Sequence, residues 1–222
     1  MSKQFWIALA AIVAILGAIV FVTNHDKKNN TPHSSGQPTN HVEGSASTGV
    51  KLVEYGDYEC PVCDDFYAAT KQVVAQYTDK IQFQFRNLPL TSIHQNAFAA
   101  ARAAEAAGLQ NKFWEMHDLL YTNQTSWANA SNPQPYFDAY ATQLGLDVNR
   151  FKQDYASEQV NNLINADTAE FQRTGDEMAT PTFYLDGKKL NNSDLINASG
   201  QPAPSAFAKL LDAEIAKKAT QK

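Results

Sequence analysis

Two cysteines stand where an extended run gives way to a helical one, and the 222 residues contain no others. Cys60-Pro61-Val62-Cys63 follows Val50-Lys51-Leu52-Val53-Glu54-Tyr55, which reads as a strand ended by Gly56-Asp57. It precedes Phe66, Ala69, Val73, Val74 and Tyr77, which share a helical face. A disulfide across two residues closes a very small loop. The stabilisation from closure grows with loop length, so a purely structural bridge explains this pair poorly. A zinc site needs about four ligands. There is no second cysteine pair, and the expected domain holds only His94 and His117, so no metal is expected. Redox chemistry fits the spacing. Cys60 falls just before a helix start, where free amide N–H groups and the positive end of the helix dipole stabilise a thiolate. Pro61 suits the first helical turn, where its missing N–H costs nothing. On this reading Cys60 is the exposed nucleophile. Cys63, one turn into the helix, is the buried thiol that resolves a mixed disulfide on Cys60.

The pattern beyond the cysteines sets the fold class. Ile81, Phe83 and Phe85 alternate as a second strand, so strand, helix, strand predicts a parallel βαβ unit in an α/β domain. From about Ser92 to Thr174 the periodicity is helical, with breaks at Gly108, at Asn132-Pro133 with Pro135, and at Gly145. His94 to Ala107 is alanine-rich and reads as one helix beginning at His94. Phe113, Trp114 and Trp127 read as core or groove aromatics. Thr182-Phe183-Tyr184-Leu185 restores a strand. Asp186-Gly187 is a strong hairpin turn, from which Lys188 to Leu190 could pair back. Ser205 to Ala216 places Phe207, Leu210, Leu211 and Ile215 on one face of a final helix.

Gly56-Asp57-Tyr58-Glu59-Cys60-Pro61-Val62-Cys63, together with Ala179-Thr180-Pro181-Thr182-Phe183, resembles the bacterial DsbA-like thiol–disulfide oxidoreductases. The resemblance covers roughly residues 50–218. It implies a thioredoxin fold with an inserted helical domain, about residues 92–174, and no cofactor beyond the cysteine pair. It also implies that Pro181 is a cis-proline facing the disulfide. Thr180 would lend its backbone to an extended substrate chain, with Pro61 and Val62 beside it. The resemblance further implies a buried acidic residue beneath the disulfide, matched by Glu54. Strand alternation puts Glu54 on the face of Val50 and Leu52. A buried carboxyl titrates high and could relay a proton to or from Cys63. One residue departs from the strongly oxidising members, which carry histidine where this chain has Val62. Valine offers the thiolate neither charge nor hydrogen bond, so disulfide reduction or isomerisation stays open beside disulfide formation. His94 either approaches the site or merely starts a helix.

The amino-terminal part points to export. Phe5 to Val22 carries no charge and reads as a single membrane-spanning helix at the short limit of about 18 residues; a cleaved signal peptide is the rival reading. Thr23 to Thr48 is rich in Asn, Ser, Thr, Gly and Pro and reads as a flexible tether, with His25, His33 and His41 solvated along it. The organisation expected is anchor 1–22, linker 23–48 and domain 49–222, with the domain on the extracytoplasmic side of the cell membrane. Its partners would be exported polypeptides with cysteines and a membrane redox protein, and the chain would be a monomer. A net charge of −5 argues against nucleic acid. The intact cysteine pair argues against a redox-inert chaperone. Three methionines leave little material for a metallochaperone site.

Overall fold

The computed structural model describes residues 36–221. The run Phe5 to Val22, with His25 and His33, lies outside them. Five strands form one sheet: β1 His41–Glu43, β2 Val50–Gly56, β3 Ile81–Asn87, β4 Thr182–Leu185 and β5 Lys188–Lys189. Their order is β1-β3-β2-β4-β5, with β2 and β3 parallel and the other pairs antiparallel. Helix α1, Pro61–Gln76, makes the crossover between β2 and β3. Between β3 and β4 the chain is helical: α2 Ala97–Gly108, α3 Phe113–Thr122, α4 Gln124–Trp127, α5 Gln134–Gln143, α6 Val148–Tyr155 and α7 Glu158–Arg173. Helix α8, Pro204–Ala219, closes the fold.

Local chemistry sets several of these boundaries. Pro61, Pro135 and Pro204 sit in the first turns of α1, α5 and α8, where a missing N–H is harmless. Asp147 and Ser157 cap α6 and α7 through hydrogen bonds to backbone N–H groups. Asp186 and Gly187 both take positive φ, 49° and 81°, as the tight hairpin between β4 and β5 requires.

One face of the sheet carries the core. Register pairs Leu52 with Phe83 and Leu185, and Glu54 with Phe85 and Phe183. Phe66 of α1 and Phe207 of α8 pack on Phe183, and Phe113 of α3 packs on Phe85. Each fully buried phenylalanine stabilises the fold by about 1.5–3 kcal/mol. Several on one face are enough to hold a carboxyl among them. The opposite face is smaller: Tyr55 and Tyr184 meet each other there, with Phe171 of α7 beside Tyr55.

Two expectations need correction. Residues 36–48 belong to the folded body, not to a tether. His41–Glu43 pairs with β3, and Thr39 is buried against Asp167. His41 is not a solvated linker histidine: it stacks on the Phe113 ring and pairs with Glu105. These polar residues gain order from partners distant in the chain, which local composition does not register. Helix α2 begins at Ala97, because His94 is held in the preceding turn by Asp57.

Candidate active site

Strand β2 delivers the chain to the cysteines through a short turn in which the Cys60 N–H donates to the Asp57 carbonyl at 3.1 Å. Cys60 occupies the cap position of α1 without any side-chain cap, so the first amides of the helix are left for its sulfur. Cys63 is fully buried and Cys60 nearly so. A hydrogen bond from the Cys63 thiol is the main influence lowering Cys60 to about 6. Thr180 and the N–H groups of Cys63 and Val62 add to it, against the opposing effect of burial. Cys63 moves the other way, well above an ordinary thiol. Burial is the largest cause, followed by its bond to Cys60 and the charges of Cys60 and Glu54. The pair is thus split into a stable thiolate and a reluctant thiol.

The loop before β4 closes over them. The Thr180–Pro181 bond is cis, and the Cys60 thiol donates to the Thr180 carbonyl at 3.4 Å. Pro181 is buried, and Asn192 Nδ2 donates to its carbonyl from the far side at 2.9 Å. Pro61 and Val62 are exposed on the opposite lip.

Three further residues brace the turn. Asp57 is almost wholly buried; its Oδ1 accepts the Glu59 N–H, and its Oδ2 accepts the Leu90 N–H at 2.8 Å and faces His94 Nδ1 at 2.8 Å. The Asp57 N–H donates to Cys63 Sγ at 3.5 Å. Gln124 Nε2 donates to the carbonyls of Tyr58 and Cys60. His94 therefore holds the turn through Asp57. Trp127 is fully buried core, with Nε1 donating to the Leu120 carbonyl. Of these braces only His94 stood out in the sequence. Asp57 reads there as a turn residue, and nothing local links Gln124 to the cysteines.

Glu54 lies on β2 beneath the pair and is 3% exposed. Burial alone pushes its carboxyl up to about 8, with no ion pair or hydrogen bond opposing it. It can therefore hold a proton at neutral pH and release one to a neighbouring base. Among the described residues no group of three or more His, Cys, Asp or Glu side chains is placed to hold a metal ion.

A thioredoxin family model matches residues 36–212. Among solved structures, BdbD from Bacillus subtilis superposes with a TM-score of 0.66 at 22% identity, covering 81% of this chain and 96% of that one. α-DsbA1 from Wolbachia pipientis gives 0.67 at 18%, covering 84% and 96%. These likenesses fix the fold as that of DsbA-like proteins. Among curated proteins, the Na(+)/H(+) antiporter NhaA 1 of Salinispora arenicola is 38% identical over 170 residues, 76% of this chain and 25% of that protein. The counterpart in Mycolicibacterium gilvum is 39% identical over 153 residues, 67% and 24%. This chain spans about a quarter of the length of the curated relatives it matches.

Proposed function

The chain belongs to the thioredoxin family, and from that premise we propose that it exchanges disulfides with cysteine-containing polypeptides through Cys60 and Cys63. The observation that carries this reading is the split between the two thiols, one lowered to about 6 and one raised, at a single helix start. A substrate thiolate attacks Cys60 Sγ of the oxidised pair, and Cys63 leaves with the electron pair of the broken bond. Glu54 gives Cys63 a proton. A second substrate thiolate then attacks the substrate sulfur of the mixed disulfide and expels Cys60 as its stable thiolate. The enzyme ends as a dithiol and the substrate as a disulfide. The Thr180 backbone and the exposed Pro61 and Val62 flank the place where the substrate chain lies.

Disulfide formation is the favoured direction. A second reading, reduction or isomerisation, is supported by Val62. It is 45% exposed, and its side chain gives the Cys60 thiolate neither charge nor hydrogen bond. A lowered Cys60 of about 6 sits in the middle of the range of about 3.5–7.5 for activated cysteines. The couple should accordingly fall between about −120 and −270 mV. Equilibration with glutathione decides between the two readings.

The uncharged Phe5 to Val22 run supports an extracytoplasmic domain anchored in the membrane, with a membrane redox protein as its partner. Recovery of a soluble protein beginning near residue 20 would instead mean cleavage. The ion exchange named for the longer relatives is assigned to no residue here. Among the described residues no helix is long and apolar enough to cross a membrane.

The catalytic test is asymmetric. Cys60→Ser should abolish exchange, whereas Cys63→Ser should accumulate mixed disulfides through Cys60. Normal turnover by Cys60→Ser would overturn the assignment.

A further inference from the structure

His94 is held as a base is held, by one ring nitrogen. Its Nδ1 lies 2.8 Å from Oδ2 of the buried Asp57, an oxygen that already accepts the Leu90 N–H. An oxygen so engaged acts as a carboxylate acceptor, so Nδ1 carries the ring proton and Nε2 keeps the lone pair of the neutral imidazole. Among the described residues Nε2 has no hydrogen-bond partner, and it is not enclosed. The ring lines an open cleft of about 310 Å³ with Glu59, Pro61, Ile93 and Gln124. Glu59 and Pro61 are the chain neighbours of Cys60, so this cleft opens beside the nucleophile. A carboxylate on one ring nitrogen and a free lone pair on the other make a general base.

The segment that carries His94 is pinned on both sides by the cysteine turn. Asp57 accepts the Leu90 N–H, and Glu59 accepts the Asn96 N–H. Asn96 Nδ2 in turn donates to the carbonyls of Ala128 and Ala130 in the helical insert. The imidazole is therefore fixed before a substrate arrives, as a positioned base must be. The ionisable groups facing the ring are Asp57 and Glu59. The insert offers only neutral side chains, Gln124, Thr125 and Asn129 among them. Pro61 and Ile93, the latter 70% exposed, make the cleft apolar at its mouth. An incoming chain can thus displace water from around the imidazole.

We propose that His94 is the general base of the exchange: Nε2 takes the proton of a substrate thiol entering over this cleft as its sulfur attacks Cys60. This rests on the disulfide-exchange reading and supplies what that reading assumes, a substrate thiolate. A peptide cysteine titrates near about 8.5 and is mostly thiol at neutral pH, yet only the thiolate attacks. In the step, the substrate sulfur loses its proton to Nε2 and bonds to Cys60 Sγ. The Cys60–Cys63 bond breaks, and Cys63 leaves with its electron pair. The imidazolium, paired with Asp57, then passes its proton to solvent through the open cleft. Cys60 itself needs no such help, because Cys63, Thr180 and the helix amides already favour its thiolate.

The test is the second-order rate at which the oxidised full chain oxidises a dithiol peptide, compared between parent and variants from about pH 6 to about 9.5. His94→Asn keeps a donor for Asp57, so the turn stays braced, and removes the base. It should be about tenfold slower near pH 7. At the top of the range, where the peptide ionises unaided, it should come within about twofold of the parent. His94→Ala should be as slow near pH 7 and regain rate with added imidazole, which a role in bracing the turn alone would not allow. A deficit of the same size at every pH, or a His94→Ala rate that imidazole leaves unmoved, would reduce His94 to a brace and overturn the proposal. So would His94→Asn running at the parent rate near pH 7; loss of exchange in Cys60→Ser would then leave the exchange reading standing. If Cys60→Ser exchanges normally, that reading fails and the base with it.

Discussion

Glu54 and Asp167 are both buried carboxyls, and the regions around them could hardly differ more. Asp167 of α7 is fully buried and accepts the Thr39 N–H and hydroxyl at 2.7 Å each, the Asn87 N–H at 2.9 Å and Arg86 Nη1 at 3.2 Å. Those donors come from the segment before β1 and the end of β3, so the carboxylate ties three parts of the chain together. Glu105 extends the cluster by accepting from Asn87 Nδ2 and pairing with His41. Glu54 sits at the other extreme, with burial unopposed. A buried charge surrounded by donors is a clasp; one denied donors becomes a titrating group. The domain places the first where chain segments meet and the second under its sulfurs.

The largest effect should come from breaking the clasp. Asp167→Ala leaves the Thr39 and Asn87 donors unpaired and Arg86 with Glu170 as its remaining carboxylate, which should cost about 3–5 kcal/mol in urea unfolding. A loss below about 1 kcal/mol would mean that water replaces the carboxylate freely.

Burial raises both carboxyls, but the Thr39 and Asn87 donors oppose it at Asp167 and nothing opposes it at Glu54. Its folded value, about 8, lies above the unfolded 4.5, so the folded state binds the extra proton between them. That contribution is fully present below about 4.5 and is lost as pH rises through 8. The reduced domain should therefore lose on the order of 5 kcal/mol of stability across that window. Glu54→Gln should flatten the slope. The same variant should slow turnover near neutral pH and alter the pH–rate profile more than substrate affinity. An unchanged profile would return Glu54 to a structural role.

The smallest effect concerns the open front of the Glu54 region. Val62→His adds a group that can carry charge beside the Cys60 thiolate. A change of one pKa unit at Cys60 corresponds to about 1.4 kcal/mol, or roughly 30 mV for this couple. The potential should rise by an amount of that order and the Cys60 titration should fall. No movement in either quantity would leave the Cys63 thiol, Thr180 and the helix amides as sole determinants.

The same contrast explains what could be read from the sequence. Cys60, Pro61 and Cys63 announce themselves by spacing, and β2, α1, β3 and the Asp186-Gly187 hairpin by local pattern. Glu54 was suggested by strand alternation and resemblance together, because both bear on one short segment. The Asp167 clasp was invisible. Thr39, Asn87 and Asp167 are polar residues whose meaning exists only once 128 positions of separation have been closed. β1 was lost for the same reason, and Thr39 and His41 were placed in a tether. Gln124 and Asp57 brace the cysteine turn through backbone hydrogen bonds that no motif encodes.

The account turns on Glu54 being unpartnered and protonated near neutral pH. Following its side-chain carboxyl by carbon NMR against pH, in the reduced domain, tests this without relying on activity. A midpoint near 8 is the expected result; a midpoint near 4.5, the ordinary value, would contradict it.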